Sequence, residues 1–138
     1  MTRTPSQTIG PFFGGTLLEQ PVVFEDGDVR IQGHVYDGAG EAVSDALVEI
    51  WQSEIDGFGR CATGADGGFH FVTRPTLFAD VAVFARGLLR HLVTRTYFDE
   101  DALPSVDRSS TLLARRDGNV WRFDIHLQGT SETVFLDV

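Results

Sequence analysis

Apolar and polar residues alternate along much of this chain with the period of a β-strand. The clearest case is Val29–Tyr36, in which valine, isoleucine and glycine positions alternate with arginine, glutamine, histidine and tyrosine. Because successive side chains of a strand point to opposite faces, this alternation predicts a half-buried strand. Similar segments lie at 46–52, 58–63, 69–73, 79–85, 91–98, 120–127 and 133–137. We therefore expect about eight strands.

Glycine-containing turns separate these segments. Residues 37–40 (Asp-Gly-Ala-Gly) and 64–68 (Gly-Ala-Asp-Gly-Gly) can adopt the positive φ angles that tight turns require. One stretch differs, because Asp107 can cap a short helix that runs through Arg115 and is closed by Asp117-Gly118. The whole pattern predicts an all-β fold, an antiparallel β-sandwich with one short helix. We expect residues 1–138 to form a single domain.

The first twenty residues, 1–20, show no periodicity that predicts a helix or a strand. They contain two prolines and three glycines, which favour an extended N-terminal arm. Ile9, Phe12 and Phe13 make this arm too apolar for a free tail. We therefore expect it to dock on another surface.

The composition agrees with this fold and excludes several functions. Hydrophobic residues make up 42% of the 138 residues and charged residues 22%, as in globular proteins. All 11 basic residues are arginines, and 20 acidic residues give a net charge of −9, which argues against a nucleic-acid partner. No apolar run reaches the roughly 18 residues of a membrane span, and the first residues lack the pattern of a signal peptide. We expect a cytoplasmic protein without a membrane partner.

The residue types that most often bind metals or act as nucleophiles form no recognisable constellation. The four histidines are His34, His70, His91 and His126, and none lies at metal-ligand spacing from another. We interpret them as ordinary strand residues rather than ligands. Cys61 is the only cysteine, which excludes an intrachain disulfide and indicates a small buried strand residue.

Charged residues near the strand ends leave alternatives open. The acidic run 99–101 can bind a cation, but a solvated acidic turn is the favoured interpretation. Arg86, in the bend at 84–87, can hold the carboxylate of a ligand or form an internal salt bridge. For Arg95, inside an otherwise apolar strand, the internal salt bridge is favoured. The residue pattern alone therefore shows no catalytic site.

Eight stretches, in order along nearly the whole chain, resemble one known family. They read TPSQTIGP at 4–11, GHVYDG at 33–38, LVEIWQ at 47–52, FGRCAT at 58–63, VFARG at 83–87, HLVTRTYFD at 91–99, RFDIHLQG at 122–129 and ETVFLD at 132–137. Any one of these strings is a weak signal, but together they resemble the intradiol ring-cleavage dioxygenases. The C-terminal run favours the α chains over the β chains of the members that contain both.

The resemblance implies a β-sandwich without a metal site of its own. The catalytic chains of this family hold a non-haem ferric iron with two tyrosines and two histidines. The positions equivalent to the two histidines are Phe78 and Asp80, which do not replace a pair of imidazoles. The only tyrosines, Tyr36 and Tyr97, lie in strand motifs that are not ligand positions. The resemblance therefore implies an α chain that has lost the metal.

The resemblance also implies a partner and a substrate. A β chain would hold Fe3+ and use O2 to open the ring of protocatechuate, giving 3-carboxy-cis,cis-muconate. Thr8, Gly10, Pro11 and Arg86 match the family positions that help wall the active site, and the guanidinium of Arg86 suits the substrate carboxylate. The stretches 53–57 and 74–80 are shorter than in related chains. The alternative is a free-standing β-sandwich binding module with no catalytic partner.

Overall fold

Nine strands form two packed sheets in the computed structural model of the chain, which describes residues 19–85, 91–105 and 109–127. The strands are β1 (Val29–Tyr36), β2 (Ala46–Gln52), β3 (Gly57–Ala62), β4 (Gly68–Thr73), β5 (Phe78–Ala85), β6 (Leu92–Tyr97), β7 (Arg115–Asp117), β8 (Val120–Arg122) and β9 (Ile125–His126). The expected β-sandwich is confirmed.

The two sheets differ in how their strands are connected. The four-stranded sheet has the order β3-β2-β5-β6 and is antiparallel throughout. The five-stranded sheet has the order β4-β1-β8-β7, and β9 also pairs with β1. Its pairs are antiparallel except that β1 runs parallel to both β8 and β9. The central strand β1 therefore depends on a segment far away in the sequence.

The core lies between the two sheets and is filled by alternate strand residues. Strand β1 has the burial alternation that its sequence predicts, with Val29, Ile31 and Val35 facing inward. From the facing sheet, Val48, Ile50, Val81 and Val83 fill the same core cluster. Strand β2 is buried on both faces except at Trp51, a pattern typical of a central strand covered on each side.

One side of the sandwich is closed by residues 19–24, which we call the N-terminal seam. Gln20 exchanges two backbone hydrogen bonds with Arg60 on β3, of 2.7 and 3.0 Å. Val72 on β4 then donates to the carbonyl of Pro21 at 3.0 Å and accepts from the amide of Val23 at 2.8 Å. Because β3 and β4 belong to different sheets, this seam links the edge of one sheet to the edge of the other.

The opposite side is closed by residues 113–117, the β7 seam. Leu113 forms a parallel bridge with Tyr97 at the end of β6, and the amide of Ala114 donates to the carbonyl of Tyr97 at 2.9 Å. The chain then continues as β7 and pairs with β8 in the other sheet. Each seam therefore satisfies backbone groups at sheet edges that would otherwise face water.

The helix predicted from Asp107 to Arg115 is largely wrong. Only a 3-10 helix is formed, over Ser109–Leu112, and Arg115 is the first residue of β7. The hydrogen bond from Ala114 to β6 requires extended backbone, so the tertiary pairing overrides the local helix signal. Asp107 itself lies outside the described residues.

The continuous strand predicted at 120–127 is interrupted at Phe123 and Asp124. The register with β1 is the same on both sides of this break, as the pairs Arg30↔Val120 and Tyr36↔His126 show. At the break the amide of His34 donates to Asp124 Oδ1 at 2.9 Å. A side chain therefore takes the place of a backbone acceptor, and the strand divides into β8 and β9.

Two predicted segments fall in parts of the chain that the structure does not describe. The strand predicted at 133–137 and the N-terminal arm up to residue 18 lie outside the described residues. In the part that is described, no helix is long and apolar enough to cross a membrane.

Candidate functional site

Phe78 and Asp80 lie on the outer face of the four-stranded sheet. The residues between and after them, Ala79 and Val81, are buried in the core, so 78 and 80 point the opposite way. Two side chains at i and i+2 of a strand share a face, which is the arrangement that two metal-binding histidines would need. Here the first is a phenyl ring and the second a single carboxylate.

Arg95 occupies the space beside both of these side chains. Its Nε donates to Asp80 Oδ1 at 2.7 Å, and its guanidinium carbon lies 4.2 Å from the centre of the Phe78 ring. Tyr97, directly opposite Phe78, places its ring centre 6.1 Å from that of the phenyl. The hydrogen bond to Asp80 raises the pKa of Arg95 above its ordinary value, so the guanidinium stays charged. The internal salt bridge predicted for Arg95 is confirmed.

A second ion pair lies on the same outer face. Arg60 Nε donates to Glu49 Oε2 at 2.9 Å across the β2–β3 pairing, and both side chains are nearly buried. The guanidinium of Arg60 also lies 5.2 Å from the centre of the Phe58 ring. No spacing in the sequence indicates this pair, because the two residues become neighbours only through the strand register.

The two tyrosines of the chain lie on opposite sides of the sandwich. Tyr97 is on the outer face of the four-stranded sheet, whereas Tyr36 is on the outer face of the five-stranded sheet. Tyr36 is stacked between His34 and His126, with ring centres 5.9 and 5.2 Å away. Two tyrosines separated by the core cannot converge on one metal ion.

The remaining histidines do not bring ligands to either tyrosine. His91 stacks on Phe84 at 4.8 Å, and it precedes Tyr97 by six residues, roughly 20 Å of extended chain. His70 is on β4, where burial lowers its pKa. In the described ranges no three His, Cys, Asp or Glu side chains are placed to hold a metal ion. The residues present therefore do not fit the ferric iron of the family.

His34 lies between two carboxylates. Its Nε2 lies 3.6 Å from Asp66 Oδ2 and its Nδ1 lies 3.5 Å from Asp124 Oδ1. Asp66 also accepts a hydrogen bond from the amide of Gly68 in the β3–β4 hairpin turn. The carboxylates are on opposite sides of the ring, so the group connects the turn to the break between β8 and β9.

Two other sequence interpretations are confirmed. Cys61 is a buried strand residue, and burial raises the pKa of its thiol, which makes it a poor nucleophile. The acidic run 99–101 forms a turn in which Asp99 caps a 3-10 helix, Glu100–Ala102, by accepting from the amide of Asp101 at 3.0 Å. Asp99 and its neighbours Glu100 and Asp101 therefore form the predicted acidic turn.

The substrate-binding residues expected from the resemblance are Thr8, Gly10, Pro11 and Arg86. All four lie outside the described residues, so the structure brings none of them to a site. The described part of β5 ends at Ala85, which pairs with Ala46 on β2. The roles of these four residues stay predictions.

Comparison with known proteins gives close relatives by sequence. The alpha chain of protocatechuate 3,4-dioxygenase from Burkholderia cepacia is 34% identical over 194 positions, which cover 100% of this chain and 98% of the relative. The alpha chain of the same enzyme from Pseudomonas putida is 32% identical over 195 positions, which cover 99% and 97%. No family model matches the chain.

Solved structures support the fold. The dioxygenase domain of a dioxygenase–carbohydrate-binding protein fusion from Streptomyces sp. SirexAA-E superposes with a TM-score of 0.59 at 22% identity, over 81% of this chain and 89% of that domain. Hydroxyquinol 1,2-dioxygenase from Pseudomonas putida DLL-E4 superposes with a TM-score of 0.60 at 14% identity, over 78% of this chain and 59% of that one. At these identities the similarity establishes a shared β-sandwich fold.

The alignments also show that this chain is shorter than its relatives. They span 194 and 195 positions, whereas the chain has 138 residues, so more than a quarter of the aligned positions have no residue here. The sequence similarity nevertheless runs over the full chain, and the fold is that of the intradiol dioxygenases. The chain belongs to the family of protocatechuate 3,4-dioxygenase alpha chains.

Proposed function

We propose that this chain is the non-metal-binding α subunit of a protocatechuate 3,4-dioxygenase-type enzyme. Its partner is a β chain that holds the ferric iron. With O2 as co-substrate, the assembled enzyme opens the ring of protocatechuate between its two hydroxyls and yields 3-carboxy-cis,cis-muconate. The partner supplies the metal chemistry, and this chain supplies part of the wall around the substrate. The pair acts in the cytoplasm.

The observation that carries this proposal is the outer face of the four-stranded sheet. At the two positions where a catalytic chain of the family has histidines, this chain has Phe78 and Asp80, and Arg95 contacts both. A phenyl ring and one carboxylate that is ion-paired with a guanidinium at 2.7 Å do not supply the two imidazole ligands that the histidines supply. A chain with this arrangement needs a metal-bearing partner to take part in the family's reaction.

The contribution of this chain to the substrate site rests on the positions carried over from the family. Thr8, Gly10 and Pro11 belong to the apolar N-terminal arm, which would reach the partner and line its substrate pocket. Arg86 follows β5 and would place a positive charge beside the carboxylate of protocatechuate. An arginine can bind a carboxylate through two parallel hydrogen bonds, which fixes both the position and the orientation of the ring.

Co-expression with a β chain that carries the tyrosine and histidine ligands tests the proposal. We expect one co-eluting complex that contains iron and has the visible absorption band of tyrosinate bound to ferric iron. The same α chain purified alone should be colourless and iron-free by elemental analysis. Stoichiometric iron and a visible band in the isolated α chain would overturn the proposal. If the two chains elute separately, the β chain is not the partner of this chain.

The second candidate is a free-standing β-sandwich binding module. The shortness of the chain favours it, since the alignment with a relative spans 194 positions and this chain has 138 residues. The genomic neighbourhood separates the two candidates: an adjacent reading frame for a β chain with both tyrosines and both histidines supports the subunit. If no such reading frame is present and the two chains do not co-elute, the free-standing binding module is supported.

A further inference from the structure

Two arginines face each other on the outer surface of the five-stranded sheet. Arg115 on β7 and Arg122 on β8 are directly opposite in the antiparallel register, and both are exposed. Directly opposite residues of a pair share a face, so both side chains project away from the core. We call Arg115 and Arg122 the arginine pair.

In the part of the chain that the structure describes, neither member of the arginine pair forms an ion pair with a carboxylate. Among the described residues, Arg60, Arg74 and Arg95 each form an ion pair with a carboxylate, whereas Arg115 and Arg122 form none. The nearest neighbour on β1 is Gln32, opposite Arg122, and its Oε1 is taken by Arg30 Nε at 2.7 Å. A third guanidinium thus lies beside the pair.

This arrangement is unusual for a chain of this charge. The chain has 20 acidic residues against 11 basic ones, so carboxylates are plentiful. Like charges directly opposite each other on paired strands repel and destabilise the sheet. Asp117 lies two residues from Arg115 on the same face, but it forms no ion pair with either arginine in the described part of the chain. The repulsion is therefore only partly offset in the isolated chain, and a negatively charged partner reduces it further.

The ribbon that carries the arginine pair is held firmly in place. Arg116, which follows Arg115 on β7 and is opposite Trp121 on β8, points to the other face, where its guanidinium lies 4.8 Å from the centre of the Trp121 ring. Its Nη1 also donates to the carbonyl of Phe98 at 3.4 Å. Trp121 in turn packs on Phe98 with ring centres 4.4 Å apart. These contacts on the inner face hold β7 and β8 together, so the two strands present the arginine pair at a fixed spacing.

We propose that the arginine pair is a docking site for an acidic segment of the β chain. This inference rests on the proposed function for the identity of the partner. In an extended segment, side chains at i and i+2 lie about 7 Å apart on one side, whereas the Cβ atoms of directly opposite residues lie about 5 Å apart, a difference that two long arginine side chains can span. Two carboxylates at such positions can each bind one guanidinium, and Arg30 extends the positive surface toward β1.

A purely protective role is the competing explanation of the arginine pair. β7 lies at the end of its sheet in the described part of the chain, and charged residues on such strands discourage unwanted strand addition. Protection requires only that the edge strand be charged, and it does not require that a partner bind there. The two explanations differ in what the arginines do to binding.

Glutamine variants separate the explanations. We expect Arg115→Gln and Arg122→Gln each to weaken association with the β chain about fivefold, and the double variant about tenfold or more. The double variant should also lose part of the salt dependence of binding. Arg74→Gln is the matched control, because it removes one exposed arginine and the same charge elsewhere on the surface; its affinity should stay within about twofold of the original.

The thermal stability of the isolated chain gives an independent readout. Removing one of two repelling charges should leave the melting temperature unchanged or raise it, so Arg122→Gln should weaken binding without weakening the fold. If Arg122 had a structural role, the substitution would lower both the affinity for the β chain and the melting temperature. If the double variant binds the β chain as well as the original, the docking site is wrong, although the proposed function stands.

A labelled peptide of six glutamates, titrated into the full chain at low salt, keeps the inference testable without the β chain. Binding that the double variant loses and Arg74→Gln retains supports an acidic-segment site, even if the β chain fails to bind and the proposed partner falls. Peptide binding that all variants retain equally, or no binding of either probe, overturns the docking site.

Discussion

At the scale of single residues, Gly33 lies where two backbones approach each other closely. A Cβ atom built at Gly33 would lie 1.9 Å from the carbonyl oxygen of Phe123, which belongs to the break between β8 and β9. Backbone cannot yield as a flexible side chain can. We expect Gly33→Ala to lower the free energy of unfolding by about 2–3 kcal/mol, measured by urea titration.

Gly64 provides the matched control for this substitution. The nearest atom to a Cβ at Gly64 is Asp66 Oδ1, at 3.5 Å, which is an ordinary contact. Gly64→Ala should therefore change the free energy of unfolding by less than about 1 kcal/mol. Equal effects at both positions would show that glycine itself, rather than the close approach to Phe123, is what matters at Gly33.

Arg86 is the residue whose substitution bears most directly on the substrate. If its guanidinium binds the carboxylate of protocatechuate in the assembled enzyme, Arg86→Ala should mainly raise KM. Loss of a charged hydrogen bond of about 1.5–3 kcal/mol corresponds to roughly ten- to a hundredfold in kcat/KM. Catechol, which lacks the carboxylate, should be turned over almost as well as before. Equal losses with both substrates would assign Arg86 to the fold or to the interface.

Single-residue partners were predictable only where the local sequence sets them apart. Arg95 stands alone as a charge in an apolar strand, which indicated an internal salt bridge, and Asp80 provides it. The pairing of Glu49 with Arg60 depends on which residues β2 and β3 bring opposite each other. The register between β2 and β3 cannot be read from spacings within the sequence, so only the structure reveals this buried pair.

At the scale of elements, alternation predicted strands well and their ends and partners poorly. The bounds of β1 follow from its sequence because one face is buried and the other half-exposed along its whole length. The expected helix at 107–115 is largely replaced by a short 3-10 helix and a strand, and the expected strand at 120–127 is interrupted, because hydrogen bonds from distant strands decide their backbone. Their partners, Tyr97 for Ala114 and His34 for Asp124, lie 17 and 90 positions away in the sequence.

The β3–β4 hairpin turn should be sensitive to acid. The hydrogen bond from the amide of Gly68, with a smaller contribution from His34, lowers the pKa of Asp66. A carboxyl whose pKa is lower in the folded state stabilises the fold above the unfolded value of about 3.9, and this contribution is lost as the pH falls through the folded pKa. An NMR titration of the Asp66 carboxyl carbon should therefore show a midpoint below about 3.9.

Asp66→Asn isolates the charge in this turn. Asparagine keeps an oxygen that can accept from Gly68 but does not ionise. The melting temperature of the variant should fall less steeply than that of the original chain as the pH is lowered from 5 toward 3. Parallel curves for the two proteins, or a midpoint of Asp66 at or above about 3.9, would contradict the assignment.

At the scale of the whole molecule, we expect the sandwich to fold after part of the N-terminal arm has been removed. The hydrogen bonds of the N-terminal seam begin at Glu19, whose Oε2 accepts from the amide of Ala62 at 2.8 Å. Deletion of residues 1–13 keeps this seam, so the truncated chain should still fold. We expect it to associate more weakly with the β chain, measured by co-elution and titration, because an apolar arm contributes buried area to an interface.

A longer deletion serves as the control for this truncation. Removal of residues 1–24 takes away the backbone partners of both β3 and β4 and should lower the melting temperature, whatever its effect on binding. If the chain without residues 1–13 assembles as tightly as the full chain, the arm has another role. The sequence predicted an arm that docks, but it contains no information on which surface receives it.

The parallel pairing of β1 with β8 and β9 has a consequence for the order in which the protein forms. β1 is made early during synthesis, yet one of its two flanking partners is a segment 90 residues later in the chain. Until the ribosome has released that segment, one side of the central strand has no neighbour. Closing so long a loop carries a large entropic cost and is typical of slow folding. The nascent chain therefore completes its five-stranded sheet only after most of it has been translated, and a chaperone that shields β1 in the interval should raise the yield of folded protein.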